Sequence, residues 1–231
     1  MKKIKAAIYD LDGTILNSGR EGFRRLGILA EKNNIPFTKE IQDRLEENWG
    51  LSPIKLIAVG FNVSEDVARN LHKQWVEWDE QEPIPLVDGI KKRLEYNLEN
   101  GVINFIFTSR HTESAFNVLQ KNSIIHLFED IVGIEGGVHF NELDMQYIET
   151  TGYEKPNPRA LDNLLAFIRD FFGFEGDEVA YIGDEIFDIQ CGTGAGLQTF
   201  AVLSGLKRFE KLIATGISEK MIYKNAADIV F

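Results

Sequence analysis

The 231-residue chain is poor in sulfur and in rigid turns, with one cysteine, three methionines and six prolines. The lone thiol, Cys191, excludes an internal disulfide framework and fits a reducing compartment. No stretch approaches the roughly 18 consecutive apolar residues of a membrane span. The N-terminus, Met1 to Tyr9, is basic, but Asp10 interrupts its apolar run too early for the core of a signal peptide. Positive charge is scarce as well: 25 Lys+Arg stand against 36 Asp+Glu, a net charge of −11. That sign argues against nucleic acid and anionic membranes as partners, because both need a basic face. The expectation is a cytoplasmic protein with small-molecule partners, its oligomeric state left open. Core-forming material is plentiful, at 44% hydrophobic residues against 26% charged, enough for one domain and a modest insertion.

Short apolar runs recur along the chain. Ile4 to Tyr9 stops at Asp10-Leu11-Asp12-Gly13-Thr14, and similar runs cover Val102–Phe107, Val179–Ile182 and Leu197–Val202. A near-continuous apolar run ending in a turn reads as a buried strand. Asp228 to Phe231 is expected to be a further strand. Helical patterns over Gly89–Leu98, Thr112–Lys121 and Asn157–Phe172 separate these runs, the last opening on an Asn cap and a first-turn Pro. The alternation predicts a three-layer α/β core, a Rossmann-like parallel sheet covered on both faces. Residues 17–85 break it with four helical patterns and no comparable strand, so they read as an inserted α-helical subdomain between core segments 1–16 and 86–231.

In an open parallel sheet, ligands bind beyond the carboxyl ends of the strands. The distinctive polar residues fall there: Asp10 and Asp12 after the first strand, Thr108 and Ser109 after the second, Asp184 after the third with Asp188 soon behind, and Lys155 ahead of the Asn157 helix. A single Asp at a strand end is ordinarily a turn or a cap. Four converging on one edge would repel one another unless a cation neutralised them, and an all-oxygen set suits Mg²⁺.

Asp10-Leu11-Asp12-Gly13-Thr14, Thr108 after an apolar strand, Lys155-Pro156-Asn157-Pro158 and Gly183-Asp184-Glu185-Ile186-Phe187-Asp188 resemble, in order, the four motifs of the haloacid dehalogenase-like hydrolase superfamily. The first string alone is expected well under about once per hundred chains of this size. The resemblance implies that Asp10 attacks phosphorus and becomes an aspartyl phosphate, and that Asp12 acts as general acid and then base. It also implies that Asp10, Asp12 (through its main-chain carbonyl), Asp184 and Asp188 hold Mg²⁺, Asp188 directly or through water. Thr108 and Lys155 would hold the transferring oxygens.

In the superfamily's dehalogenases and phosphonate-cleaving members the residue two places after the nucleophile is not acidic, so the resemblance with Asp12 at that place implies oxygen-bound phosphate over carbon–halogen or carbon–phosphorus bonds; the expected substrate is a small anionic phosphomonoester. A phosphosugar mutase shares the core motifs, although the histidine that such enzymes carry on the first cap helix is replaced here by Gly22. A catalytically idle binding module also stays open. The insertion resembles the superfamily's C1 cap, as in its phosphoglycolate phosphatase-like members. Its Gly50-Leu51-Ser52-Pro53 loop resembles the one such caps aim at the catalytic face, with Arg20, Arg24, Arg25 and Lys55 as candidate anion binders. Ser109 is a further substrate-binding candidate, and Arg110 and His111, directly after the second motif, are expected to reach a second anionic group of the substrate. The stretch from Gly133 to Lys155 is longer than the family's pattern and reads as a functional or mobile loop.

Overall fold

A computed structural model describes residues 2–49, 51, 53–139, 147–207 and 209–231. The chain enters through β1 (Ala6–Tyr9) and departs into α1 (Ser18–Lys32), α2 (Lys39–Glu47), α3 (Pro53–Phe61) and α4 (Glu65–Gln81). It returns as α5 (Ile90–Glu99), β2 (Ile103–Phe107), α6 (Thr112–Lys121), β3 (Asp130–Gly133), β4 (Gly136–His139) and β5 (Tyr147–Ile148). The last elements are α7 (Asp162–Phe172), β6 (Val179–Gly183), α8 (Ile186–Gly194), β7 (Gln198–Val202), α9 (Phe209–Ile213) and β8 (Ile222–Tyr223). Two compact units result, Met1–Asn17 with Pro85–Phe231, and Ser18–Ile84.

The first unit is an α/β domain built on one sheet, ordered β5-β4-β3-β2-β1-β6-β7-β8. Its members from β3 to β8 pair in parallel, whereas β4 and β5 add an antiparallel flap beside β3. Alternation along each strand divides the side chains between two faces. Ile8, Phe105, Phe107 and Tyr181 share one face with Leu164, Phe167 and Ile168 of α7 and Cys191 of α8. On the other, Tyr9 and Asn104 meet α5. The Asn97 amide donates to the Tyr9 hydroxyl and to Asn104 Oδ1, both at 2.8 Å, while Asn104 Nδ2 donates to the Leu94 and Leu127 carbonyls at 3.1 and 3.0 Å. That network explains how a polar residue sits in the middle of an otherwise apolar strand: its hydrogen-bonding groups find partners once buried.

Two expectations change. Asp228–Phe231 is not a strand: Asn225 caps a 3-10 turn at Ala226–Asp228, and the edge beside β7 is taken by Ile222–Tyr223. The apolar tail packs through its side chains instead, Ile229 buried and the Phe231 ring 5.7 Å from that of Phe200. The helix after Asn157 starts with a 3-10 turn, Pro158–Leu161, before α7 begins. Within the 133–155 excursion the described residues include β4 and β5, with 149–155 following as irregular chain; residues 140–146 lie outside the described residues, as do Gly50 and Ser52 of the 50–53 loop.

The second unit is the four helices α1 to α4, packed around Leu26, Ile41, Leu45, Leu56, Ile57 and Phe61. Trp49 and Trp75 join this core, and Trp78 lies under the cations of Arg24, Arg25 and Lys32. No helix among the described residues is long and apolar enough to cross a membrane.

Candidate active site

Parallel pairing sets the ends of β1, β2 and β6 side by side, so residues far apart in sequence meet at one carboxyl edge. Asp10 follows β1, its amide bonded to the Ile182 carbonyl of β6 at 2.8 Å. Asp184 follows β6, and Asp188 lies in the first turn of α8. The carboxylates of Asp10, Asp184 and Asp188 are buried, and one oxygen of each lies within 4.8 Å of the other two. Lys155 Nζ, also buried, donates to Asp10 Oδ1 at 2.6 Å and to Asp188 Oδ1 at 2.8 Å. The ammonium lies near the rings of Phe107 and Tyr181, 5.3 and 5.7 Å from their centroids, where cation–π attraction supports a charge kept from water.

Electrostatics follow from that geometry. Burial pushes the Asp10 carboxyl up to about 7, against the pull of Lys155 and with the push of Asp188 and Asp12. Burial, followed by the charges of Asp10, Asp188 and Glu185, holds Asp184 well above the usual carboxylate range. Burial works against the Lys155 charge, yet Asp10 and Asp188 more than offset it and keep the ammonium well above its ordinary value. One ammonium among three buried carboxylates leaves the cluster short of positive charge. Its donors are all oxygen, so the site fits a hard divalent cation.

Several supporting contacts have no counterpart in the sequence reading. Thr14 Oγ1 donates to Asp184 Oδ1 at 3.0 Å, and Tyr181 OH donates to Asp188 Oδ1 at 3.2 Å. Ser204 Oγ donates to the Gly13 carbonyl at 2.7 Å, pinning the turn after β1. Gly13 has φ +84°, and a Cβ there would fall on the Asp184 carboxylate; so would one on Gly205. Thr14 stands inside the first motif, and Ser204-Gly205 follow the β7 strand at the same edge, which is the signal that could have found them.

The remaining candidates divide. Thr108 is buried at the end of β2, its amide on the Val132 carbonyl and its Oγ1 accepting from the Arg110 amide. Ser109 is exposed beside it. The Asp12 carboxylate is not one of the three clustered acids: Arg110 grips both its oxygens, Nε to Oδ2 at 2.9 Å and Nη2 to Oδ1 at 2.6 Å. His111 pairs with Glu135, which also accepts from the Thr112 amide at the start of α6. Arg24 is held within the helical unit by Glu21 and Glu82. Arg25 is buried there against Glu21 and the Glu82 carbonyl, so it braces the unit and presents no charge to an outside anion.

A buried lysine among clustered carboxylates at the carboxyl edge of a parallel sheet is the equipment of an enzyme. A family model described as haloacid dehalogenase-like hydrolase matches residues 7–202, and the chain belongs to that family. It is 23% identical over 221 residues to a phosphoglycolate phosphatase from Vibrio cholerae, covering 92% of this chain and 90% of that one. It is also 23% identical over 206 residues to an N-acetylmuramic acid 6-phosphate phosphatase from Pseudomonas aeruginosa, covering 88% and 83%. Among solved structures, a predicted phosphoglycolate phosphatase from Haemophilus somnus superposes with a TM-score of 0.69 at 19% identity, covering 99% of this chain and 97% of that one. That likeness speaks to the fold.

Proposed function

We propose that the protein is a divalent-metal-dependent phosphatase that hydrolyses a small phosphomonoester through an aspartyl phosphate on Asp10. The observation that carries this reading is the contact of Lys155 Nζ with Asp10 Oδ1 at 2.6 Å beside Asp184 and Asp188, a nucleophile and its counter-charge placed together out of water. The two curated relatives, both phosphatases of small phosphate esters by name, support the same class.

An Asp10 oxygen attacks phosphorus, and the bond from phosphorus to the ester oxygen breaks. The leaving oxygen takes a proton from Asp12, which later accepts one from the water that attacks the acyl phosphate; inorganic phosphate leaves and Asp10 is restored. Thr108 Oγ1 and Lys155 Nζ hold the equatorial oxygens through the transfer, and Lys155 also keeps Asp10 in place. A divalent cation such as Mg²⁺, held by Asp10, Asp184, Asp188 and the Asp12 main-chain carbonyl, supplies further positive charge against the phosphoryl oxygens. Thr14 and Tyr181 orient the acids from behind, as supporting contacts around such sites do.

Release of inorganic phosphate from p-nitrophenyl phosphate and a panel of metabolite esters tests the reading. Turnover is expected to require Mg²⁺ and to fall about a thousandfold or more in Asp10→Asn. Radiolabelled ester should leave a hydroxylamine-sensitive label on the wild type and none on that variant. Turnover that survives in Asp10→Asn, or none on any ester with Mg²⁺ present, refutes it.

A further inference from the structure

Asp12, the residue that must reach the leaving oxygen, has both carboxylate oxygens turned to the Arg110 guanidinium. Arg110 is the anchored member of this pair. Its amide donates to Thr108 Oγ1, its carbonyl accepts from the Ile134 amide, and Nη1 reaches Ser114 Oγ on α6 at 3.3 Å. The side chains of Asp12 and Arg110 are 37% and 24% exposed, against 9% and 2% for Asp10 and Lys155. An open pair of this kind is worth about 1 kcal/mol or less, whereas breaking a buried one costs about 3–5 kcal/mol. Between the Asp12–Arg110 pair and the buried pairs that Lys155 makes with Asp10 and Asp188, the Asp12–Arg110 pair is therefore the one a ligand can displace. The guanidinium fork already accommodates a planar two-oxygen anion, so its geometry fits a carboxylate.

We propose that Arg110 exchanges Asp12 for a carboxylate on the substrate's leaving group, so that recognition of that carboxylate frees Asp12 to serve the leaving oxygen. The proposal rests on the phosphatase reading and deepens it: Arg110 becomes the residue that selects carboxylate-bearing esters and couples their binding to the general acid. Asp12 is then a competitor for its own enzyme's substrate. In that competition, removing Asp12 and removing Arg110 change carboxylate affinity in opposite directions.

The test is calorimetric binding of 3-phosphonopropionate and its neutral carboxamide, with Mg²⁺, to the wild type, Asp12→Ala and Arg110→Gln. The preference for the carboxylate over the amide is expected to rise in Asp12→Ala and to fall about tenfold or more in Arg110→Gln, the scale of a lost hydrogen bond to a charged group. The ratio of kcat/KM for a carboxylate-bearing ester to that for a neutral-tailed ester of equal leaving-group basicity should fall in step in Arg110→Gln, with Arg110→Lys between. A preference that drops in Asp12→Ala, that persists in Arg110→Gln, or that is missing from the wild type overturns the proposal. The Asp12→Ala arm leaves Arg110 intact, so a folding failure of Arg110→Gln does not shelter it. A wild type that binds neither phosphonate overturns this proposal, while the phosphatase reading stands or falls separately on the turnover and labelling test of Asp10→Asn.

Discussion

Replacing Lys155 by Met isolates the role of charge in the site. The side chains are similar in length, and the Lys155 stem already lies near the Phe107 and Tyr181 rings, so packing is largely kept. What is lost is the ammonium that meets Asp10 at 2.6 Å and Asp188 at 2.8 Å, leaving buried carboxylates without their partner. Removing one member of a buried pair costs about 3–5 kcal/mol. At about 2–4 °C per kcal/mol for a chain of this size, the metal-free variant should melt roughly 6–20 °C below the wild type. Asp188→Asn in the same background removes one of the repelling charges, so the double variant should be more stable than the sum of the singles by about 1–3 kcal/mol. Mg²⁺ at a hundred times its Kd adds about 2.7 kcal/mol to whichever form binds it. Urea unfolding with and without Mg²⁺ reads all of this. A Lys155→Met protein within about 1 kcal/mol of the wild type, with additive double-variant energies, would refute the claim that ionised acids are held together here by the lysine.

Two further predictions follow the same logic elsewhere. Burial pushes Asp130 from 3.8 up to about 7, against the pull of the Ile131 amide it accepts from at 2.6 Å. An acid raised on folding contributes full stability below its unfolded value and loses it as pH climbs through the folded one. Asp130→Asn should therefore raise the melting temperature at about pH 8, by at most about 4 kcal/mol equivalent, and leave it nearly unchanged at about pH 4. An equal shift at both pH values would contradict this. Gly205→Ala places a methyl against the Asp184 carboxylate, so Mg²⁺ affinity by calorimetric titration should fall about 10–100-fold; an affinity within about twofold of the wild type would show that Asp184 moves without consequence.

The strands were legible because burial on both faces demands continuous apolar runs, and Val179–Gly183 and Ile103–Phe107 carry that pattern on their surface. The parallel order followed from helices of matching length between them. Two places misled for a physical reason. Asp228–Phe231 has the composition of a strand, but an edge strand is chosen by competition for hydrogen-bonding partners, and Ile222–Tyr223 takes the β7 edge. Arg25 has the composition of a surface cation, yet its position in α1 turns it inward onto Glu21 and the Glu82 carbonyl, a long-range contact that no local window contains.

For the candidate site, residue identity and order along the chain were enough to nominate Asp10, Asp12, Thr108, Lys155, Asp184 and Asp188, because the family's chemistry recurs as short strings around strand ends. The tertiary structure decided how those residues pair. Lys155 bridges Asp10 and Asp188, Thr14 and Tyr181 support the acids, and Arg110 holds both carboxylate oxygens of Asp12. Sequence determines which charges arrive at an edge, since each strand delivers its own terminal residue. Pairing depends on distances of a few ångströms, which for Thr14–Asp184, Arg110–Asp12 and Lys155–Asp10 join side chains about 100 to 170 positions apart, and only the packed sheet sets those.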